Sequence, residues 1–235
     1  MAGTEHISRR FDAELEAVRS SVLQMGGLVE KQIERAIGAL TSGNKDFIEQ
    51  VMVDDERVNA MEVSIDEICS QIIAHRSPAA CDLRMIMMVI KTITDLERVG
   101  DEAAKIALMA KSIYAVDRMH MPRFIEIRHI ANIALEMLRK SLDAFAHLDL
   151  TAAAQVMRQD ELVDEEFRSI MRQLTTVMME DPRKISTALE ILFAAKAIER
   201  IGDHAKNMSE YVVYLVKGKD VRHVTVEEIE REVRE

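Results

Sequence analysis

A five-residue motif that occurs twice constrains this chain more than any other feature: Glu97-Arg98-Val99-Gly100-Asp101 and Glu199-Arg200-Ile201-Gly202-Asp203. Each copy sets two carboxylates four positions apart. In an α-helix such residues share a face, where like charges repel by about 0.2–0.5 kcal/mol. Each copy also carries a glycine in an otherwise strong helix former, at about 0.8–1.0 kcal/mol relative to alanine. A cost repeated at one register points to something that offsets it, and crowded carboxylates are offset by a cation or by uptake of protons.

The flanks of the motif read as helix. Apolar residues recur at three- and four-residue spacing from Ser8 to Thr41 (among them Leu15, Val18, Val22, Met25, Val29, Ile33 and Leu40), from Lys45 to His75, and from Cys81 to about Met119. Three more stretches repeat the plan: Ile125 to His147, Thr151 to Met179, and Lys184 to Val216. Breaks fall at Ser42-Gly43-Asn44, Arg76-Ser77-Pro78, His120-Met121-Pro122, Glu180-Asp181-Pro182 and Gly218, so all 3 prolines lie between helices. Glycine (8 residues) and aromatics (4%) are scarce, while apolar residues make up 48%, which favours long helices around a sizeable core.

The duplication is legible away from the acids. Val51-Met52 and Asp55-Glu56 return 105 positions later as Val156-Met157 and Asp160-Glu161, whereas the acid motif returns after 102 positions, a difference that the connection near Pro182 absorbs. The expected fold is all-α: two tandem antiparallel three-helix bundles related by internal duplication. The first bundle spans 1–120 and the second 121–218, followed by a charged C-terminal tail, 219–235, that frays or forms a short helix.

Short connections make successive helices antiparallel neighbours. A hairpin centred at Pro78 sets Asp55 level with Asp101 and Asn59 level with Glu97. One centred between Asp181 and Pro182 sets Asp160 level with Asp203 and Asp164 level with Glu199. Each half thus gathers four oxygen-bearing side chains, a donor set suited to Mg²⁺, Ca²⁺, Mn²⁺ or iron. Gly100 and Gly202 remove bulk beside the second acid, and Arg98 and Arg200 stand one position round, able to neutralise part of the charge. His204 offers a nitrogen to the second half only, because Glu102 stands at its place in the first; the other reading is an ordinary exposed histidine. The competing reading of the acids pairs them with Lys105 and Lys206 on a solvated face.

Several classes are excluded. A net charge of −10 without a basic stripe argues against nucleic acid. The longest uncharged apolar run, Met85 to Ile90, is far short of a membrane span, and the N-terminus lacks an apolar leader, so a soluble cytoplasmic protein is expected. Cys69 and Cys81 read as two buried, reduced thiols, and the methionines, including Met85, Met87, Met88, Met178 and Met179, as core filler. Glu126-x-x-His129 has the spacing of di-iron bundles but occurs once where two copies are needed. No Walker loop, dinucleotide fingerprint or nucleophile elbow is present, so no enzyme is expected.

Asp95-Leu96-Glu97-Arg98-Val99-Gly100-Asp101 with Ala104-Lys105-Ile106-Ala107, and Ile198-Glu199-Arg200-Ile201-Gly202-Asp203-His204-Ala205-Lys206-Asn207, resemble the two signature segments of the PhoU family. Pro78-Ala79-Ala80-Cys81-Asp82-Leu83-Arg84 resembles the segment before the first signature. The resemblance implies paired three-helix bundles, divalent or multinuclear metal (Mg, Mn, Fe or Zn) at the Glu-x-x-x-Asp motifs, and a homodimer. It also implies a regulatory adaptor at the cytoplasmic face of the Pst phosphate transporter. That adaptor contacts the transporter ATPase and the PhoR sensor histidine kinase, and represses the phosphate-starvation response when phosphate is abundant. Two positions depart between the halves: Asn59 faces Asp164, and Asp95 faces Ala197. The rival readings are a carboxylate-bridged metalloenzyme of oxidase type and a metal-free helical scaffold.

Overall fold

Where each helix stops follows from its end residues. The computed structural model describes residues 9–116, 125–221, 224, 227–229 and 231. Six long helices run through them: α1 (Arg9–Ser42), α2 (Lys45–Arg76), α3 (Ala80–Val116), α4 (Ile125–His147), α5 (Leu150–Glu180) and α6 (Ile185–Lys217), with one 3₁₀ turn at Pro182–Lys184. Where both lie within the described residues, expected and observed ends agree to one or two residues. The break at His120-Met121-Pro122 lies outside them. No strand occurs among the described residues.

The caps repeat along with the helices. Gly43 ends α1 at φ 68°, its N–H donating to the Ala39 carbonyl, and Asn44 then accepts from the Asp46 N–H at 2.9 Å to start α2. At the corresponding point 105 positions on, Leu148 takes the left-handed conformation at φ 54°, and Asp149 accepts from the N–H groups of Thr151 and Ala152 to start α5. Ser77 (φ 46°) and Gly218 (φ 71°) close α2 and α6.

α1, α2 and α3 pack round one apolar axis and α4, α5 and α6 round another. Val22, Met25, Val29 and Ile33 of α1, Val51 and Val58 of α2 and Ile86, Ile93 and Leu96 of α3 are buried there, each such side chain contributing about 1.5–3 kcal/mol. The bundles do not simply follow one another. α3 lies antiparallel along α6 in the most extensive helix pairing of the molecule, and α1 crosses α4, so the buried residues form one continuous core. The α1–α4 crossing is close at Gly26, where a Cβ would stand 2.6 Å from a Leu142 methyl. Arg139 of α4 reaches Glu30 and Glu34 of α1 beside it.

Three expectations are sharpened or changed. Of the two readings of 219–235 the short helix holds, with 227–229 and 231 helical, and Val221 and Ile229, each 2% exposed, additionally join the core. Cys69 is buried but Cys81 is exposed, both being free thiols. Met88 fills core, whereas Met87 and Met179 lie at 43% and 80% exposure because they fall outside the apolar stripes of their helices. No described helix is long and apolar enough to cross a membrane.

Candidate metal centre

The hairpins bring Asp55 toward Asp101 and Asp160 toward Asp203. In the first half a Cβ on Gly100 would stand 3.3 Å from Val58 and 3.7 Å from Oδ1 of Asp55; in the second, a Cβ on Gly202 would stand 3.4 Å from Val163. Val58 and Val163 are equivalent under the repeat, so Asp55 and Asp160 face the second acids of their motifs. The charges confirm this. Asp55 is held above the usual carboxylate range first by burial and then, against a hydrogen bond from Gln32, by the charges of Asp101 and Glu56. Glu97 is raised by burial, then by Asp101, Glu62 and Asp55, with Arg98 opposing. Asp203 is pushed up to about 6 by desolvation of its carboxylate, then by Glu199, Asp160 and Asp164, with Lys196 opposing, although the residue as a whole is exposed.

The two halves compensate their acids differently. In the second, Lys196 Nζ donates to both Glu199 oxygens at 2.5 Å, and Lys206 Nζ donates to Asp160 at 2.7 Å. Desolvation works against the Lys206 charge, but the hydrogen bond and charge of Asp160, with Glu210 and Asp203, outweigh it and raise its pKa. At the equivalent positions the first half has Thr94 and Ala104. There the partner is neutral: Gln32 of α1 donates from Nε2 to Asp55 Oδ1 at 3.2 Å and to the Gly100 carbonyl at 3.2 Å. Asn59 Oδ1, one turn along α2 from Asp55, is buried and without a hydrogen-bond partner.

Asp164, the counterpart of Asn59, accepts from Arg168 at 3.3 Å on the partly exposed side of α5. Among the described residues no three His, Cys, Asp or Glu side chains stand close enough together to hold an ion. The donor set itself is all oxygen and suits a hard divalent cation. In the first half the space a Gly100 Cβ would fill is taken up by Gln32 Oε1 and Val58, and the Asn59 oxygen is buried without a hydrogen-bond partner. Asp55, Asn59, Glu97 and Asp101 would hold such a cation there, and Asp160, Asp164, Glu199 and Asp203 in the second half.

Residues named as supporting the sites go elsewhere. Asp95 and His204, 2% and 7% exposed, bind each other across the α3–α6 seam, with Nδ1 of His204 2.7 Å from Oδ1 of Asp95 and Asn207 Nδ2 at 3.4 Å. His204 is therefore neither an exposed histidine nor turned to the acids. Successive residues of α6 are turned 100° from one another, which puts His204 on the seam when Asp203 faces α5. Arg200 also crosses the seam, to Glu102 at 3.3 Å, instead of neutralising its own motif. Arg98 alone lowers the acid beside it. Lys105 pairs with Glu102 rather than Asp101, and Lys206 with Asp160 rather than Asp203. His129 meets only Glu166, at 3.9 Å on the surface.

Gln32 and the pairing of Lys206 with Asp160 are what spacing along one helix does not reveal; Lys196, three residues before Glu199, is within its reach but is not among the sequence candidates. Gln32 leaves one trace, a polar residue inside the apolar stripe between Val29 and Ile33.

A model of the PhoU domain family matches the chain twice, over residues 22–110 and 127–212. The chain is 48% identical over 232 residues to a Pseudomonas putida protein named phosphate-specific transport system accessory protein PhoU homolog, covering 98% of this chain and 90% of that one. It is 44% identical to the Escherichia coli K12 protein named phosphate-specific transport system accessory protein PhoU, over 97% and 93% of the two chains. The crystal structure of PhoU from Pseudomonas aeruginosa superposes with a TM-score of 0.85 at 46% identity, covering 89% of this chain and all of that one. The phosphate transport system regulatory protein PhoU from Streptococcus pneumoniae gives 0.83 at 27% identity, over 90% and 99% of the chains. With both copies of its acid motif inside the two matched stretches, the chain belongs to the PhoU family.

Proposed function

We propose that this protein is a non-enzymatic, cation-binding regulatory accessory of a phosphate-specific transport system. It acts in the cytoplasm as a homodimer, at the membrane face through its partners: the transporter ATPase and the PhoR sensor kinase. When phosphate is abundant it represses the phosphate-starvation response and restrains uptake. The observation that carries the cation part is the pair of acid sets, Asp55, Asn59, Glu97 and Asp101 against Asp160, Asp164, Glu199 and Asp203, in which Asp55, Glu97 and Asp203 are pushed up first by burial and then by neighbouring acids. Affinity to the named accessory proteins over nearly the full chain supports the regulatory part.

A divalent ion bound at either set supplies positive charge that lets the acids stay ionised together. The chain's own residues place those acids by hairpin register and hold them with Gln32, Lys196 and Lys206. The deciding experiment is genetic and biochemical together. Deletion derepresses phosphate-starvation genes in rich phosphate, and the tagged protein co-purifies with the ATPase subunit and the kinase. Normal repression in the deletion strain rejects the reading.

A further inference from the structure

Gln32 is 0% exposed in the middle of an apolar helix face, which is an expensive place for an amide. Its Nε2 faces three acceptors: the Val51 carbonyl at 3.4 Å, Asp55 Oδ1 at 3.2 Å and the Gly100 carbonyl at 3.2 Å. An amide nitrogen donates and cannot accept, so those three oxygens fix the side chain's orientation. Oε1 must then point the other way, and it has no hydrogen-bond partner. It stands 3.0 Å from the point a Gly100 Cβ would occupy, with Asp55 Oδ1 3.7 Å from the same point.

The second half supplies the control. The residue 105 positions after Gln32 is Met137, and its Sδ and Cε lie 3.7 and 3.6 Å from the corresponding point at Gly202. The backbone frame thus accepts a methionine of similar length, and packing alone does not demand a buried amide. What differs is the chemistry offered to the acids: a neutral carbonyl oxygen in one half, a soft thioether in the other.

We propose that Gln32 is a positioning and specificity-determining residue of the first centre, fixing Asp55 through Nε2 and offering Oε1 to the water shell of a hard divalent cation taken up by the first acid set. Mg²⁺ sheds its water reluctantly and keeps several molecules when bound, each needing an acceptor. A thioether favours softer ions. The first centre therefore prefers Mg²⁺ or Mn²⁺ over Zn²⁺ more strongly than the second does. This inference rests on the cation reading given above.

The test is made on the full chain with Glu199→Ala and Asp203→Ala, which leaves only the first centre. Mg²⁺, Mn²⁺ and Zn²⁺ are titrated calorimetrically with and without Gln32→Met. The expected result is a loss of Mg²⁺ and Mn²⁺ affinity of about 10- to 100-fold, the usual effect of removing a group that orients a ligand, with a smaller loss for Zn²⁺. The reciprocal Met137→Gln, in a chain with Glu97→Ala and Asp101→Ala, raises the preference of the second centre for Mg²⁺ and Mn²⁺ over Zn²⁺. Should Gln32→Met not fold, Met137→Gln decides by itself, and an unchanged preference overturns the inference. Mn²⁺ affinity and ion preference unchanged by Gln32→Met overturn it while leaving the cation reading intact. Absence of any binding by the unmutated chain removes both.

Discussion

The two halves share a backbone and differ in how they answer the same electrostatic problem. The second half neutralises its acids internally, with Lys196 on Glu199 and Lys206 on Asp160. The first half has no lysine at either position, and offers Gln32 and Asn59, which are neutral. Duplication fixed the geometry of the acids but left the compensating charge free to diverge. The second acid set thus carries two lysine partners, whereas in the first Arg98 opposes Glu97 and Asp55 is met by a neutral amide.

The largest break in this comparison comes from removing ligands. Glu97→Ala with Asp101→Ala abolishes ion binding in the first half only, and Glu199→Ala with Asp203→Ala in the second only, as read by metal content after purification without chelator. An unchanged metal content in either double mutant would falsify the assignment. Next in size, Lys206→Met leaves the buried Asp160 carboxylate without its partner and costs about 1–3 kcal/mol in chelator-treated protein, measured by urea melts.

Acidity separates the halves further. Asp203 has a folded-state pKa raised to about 6 from an ordinary value near 3.8, so between those values the folded chain binds more protons than the unfolded one. Stability of chelator-treated protein accordingly falls as pH rises from about 4 to about 6. Asp203→Asn removes part of that slope, and the part owed to Glu97 and Asp55 remains. A thermal-melting series in pH that is flat for the unmutated chain contradicts this.

The smallest effect concerns the glycines. A Cβ at Gly202 meets ordinary contacts of 3.4–3.7 Å, so Gly202→Ala gains up to about 1 kcal/mol of helix propensity. At Gly100 the Gln32 oxygen at 3.0 Å stands in the way, and Gly100→Ala gains less or loses stability. Equal shifts in melting temperature would show that the two crossings are alike.

Most of the fold was legible because its signals are local. Apolar periodicity, three prolines and the caps Gly43-Asn44 and Gly218 mark the helices, and hairpin register follows from turn position. The level of Asp55 with Asp101 and of Asp160 with Asp203 was readable for the same reason. Which neighbour each charge chooses was not. Lys206 has acids within reach on its own helix and on α5, and only packing selects Asp160. Nothing in a helical repeat says that α3 lies along α6, so the partners of Asp95, Glu102, Arg200 and His204 were hidden until the halves were seen together. The docking of Val221 and Ile229 was masked by the charged residues around them.

That seam joins the halves through the motifs themselves. Arg200, one residue from Glu199, grips Glu102, one residue from Asp101, and His204, next to Asp203, grips Asp95, two residues before Glu97. A slide of α3 past α6 by a single residue's rise, about 1.5 Å, would strain both grips and disturb both acid sets in one movement. Any relative shift of the two helices is thereby passed to both acid sets at once, through side chains that belong to neither.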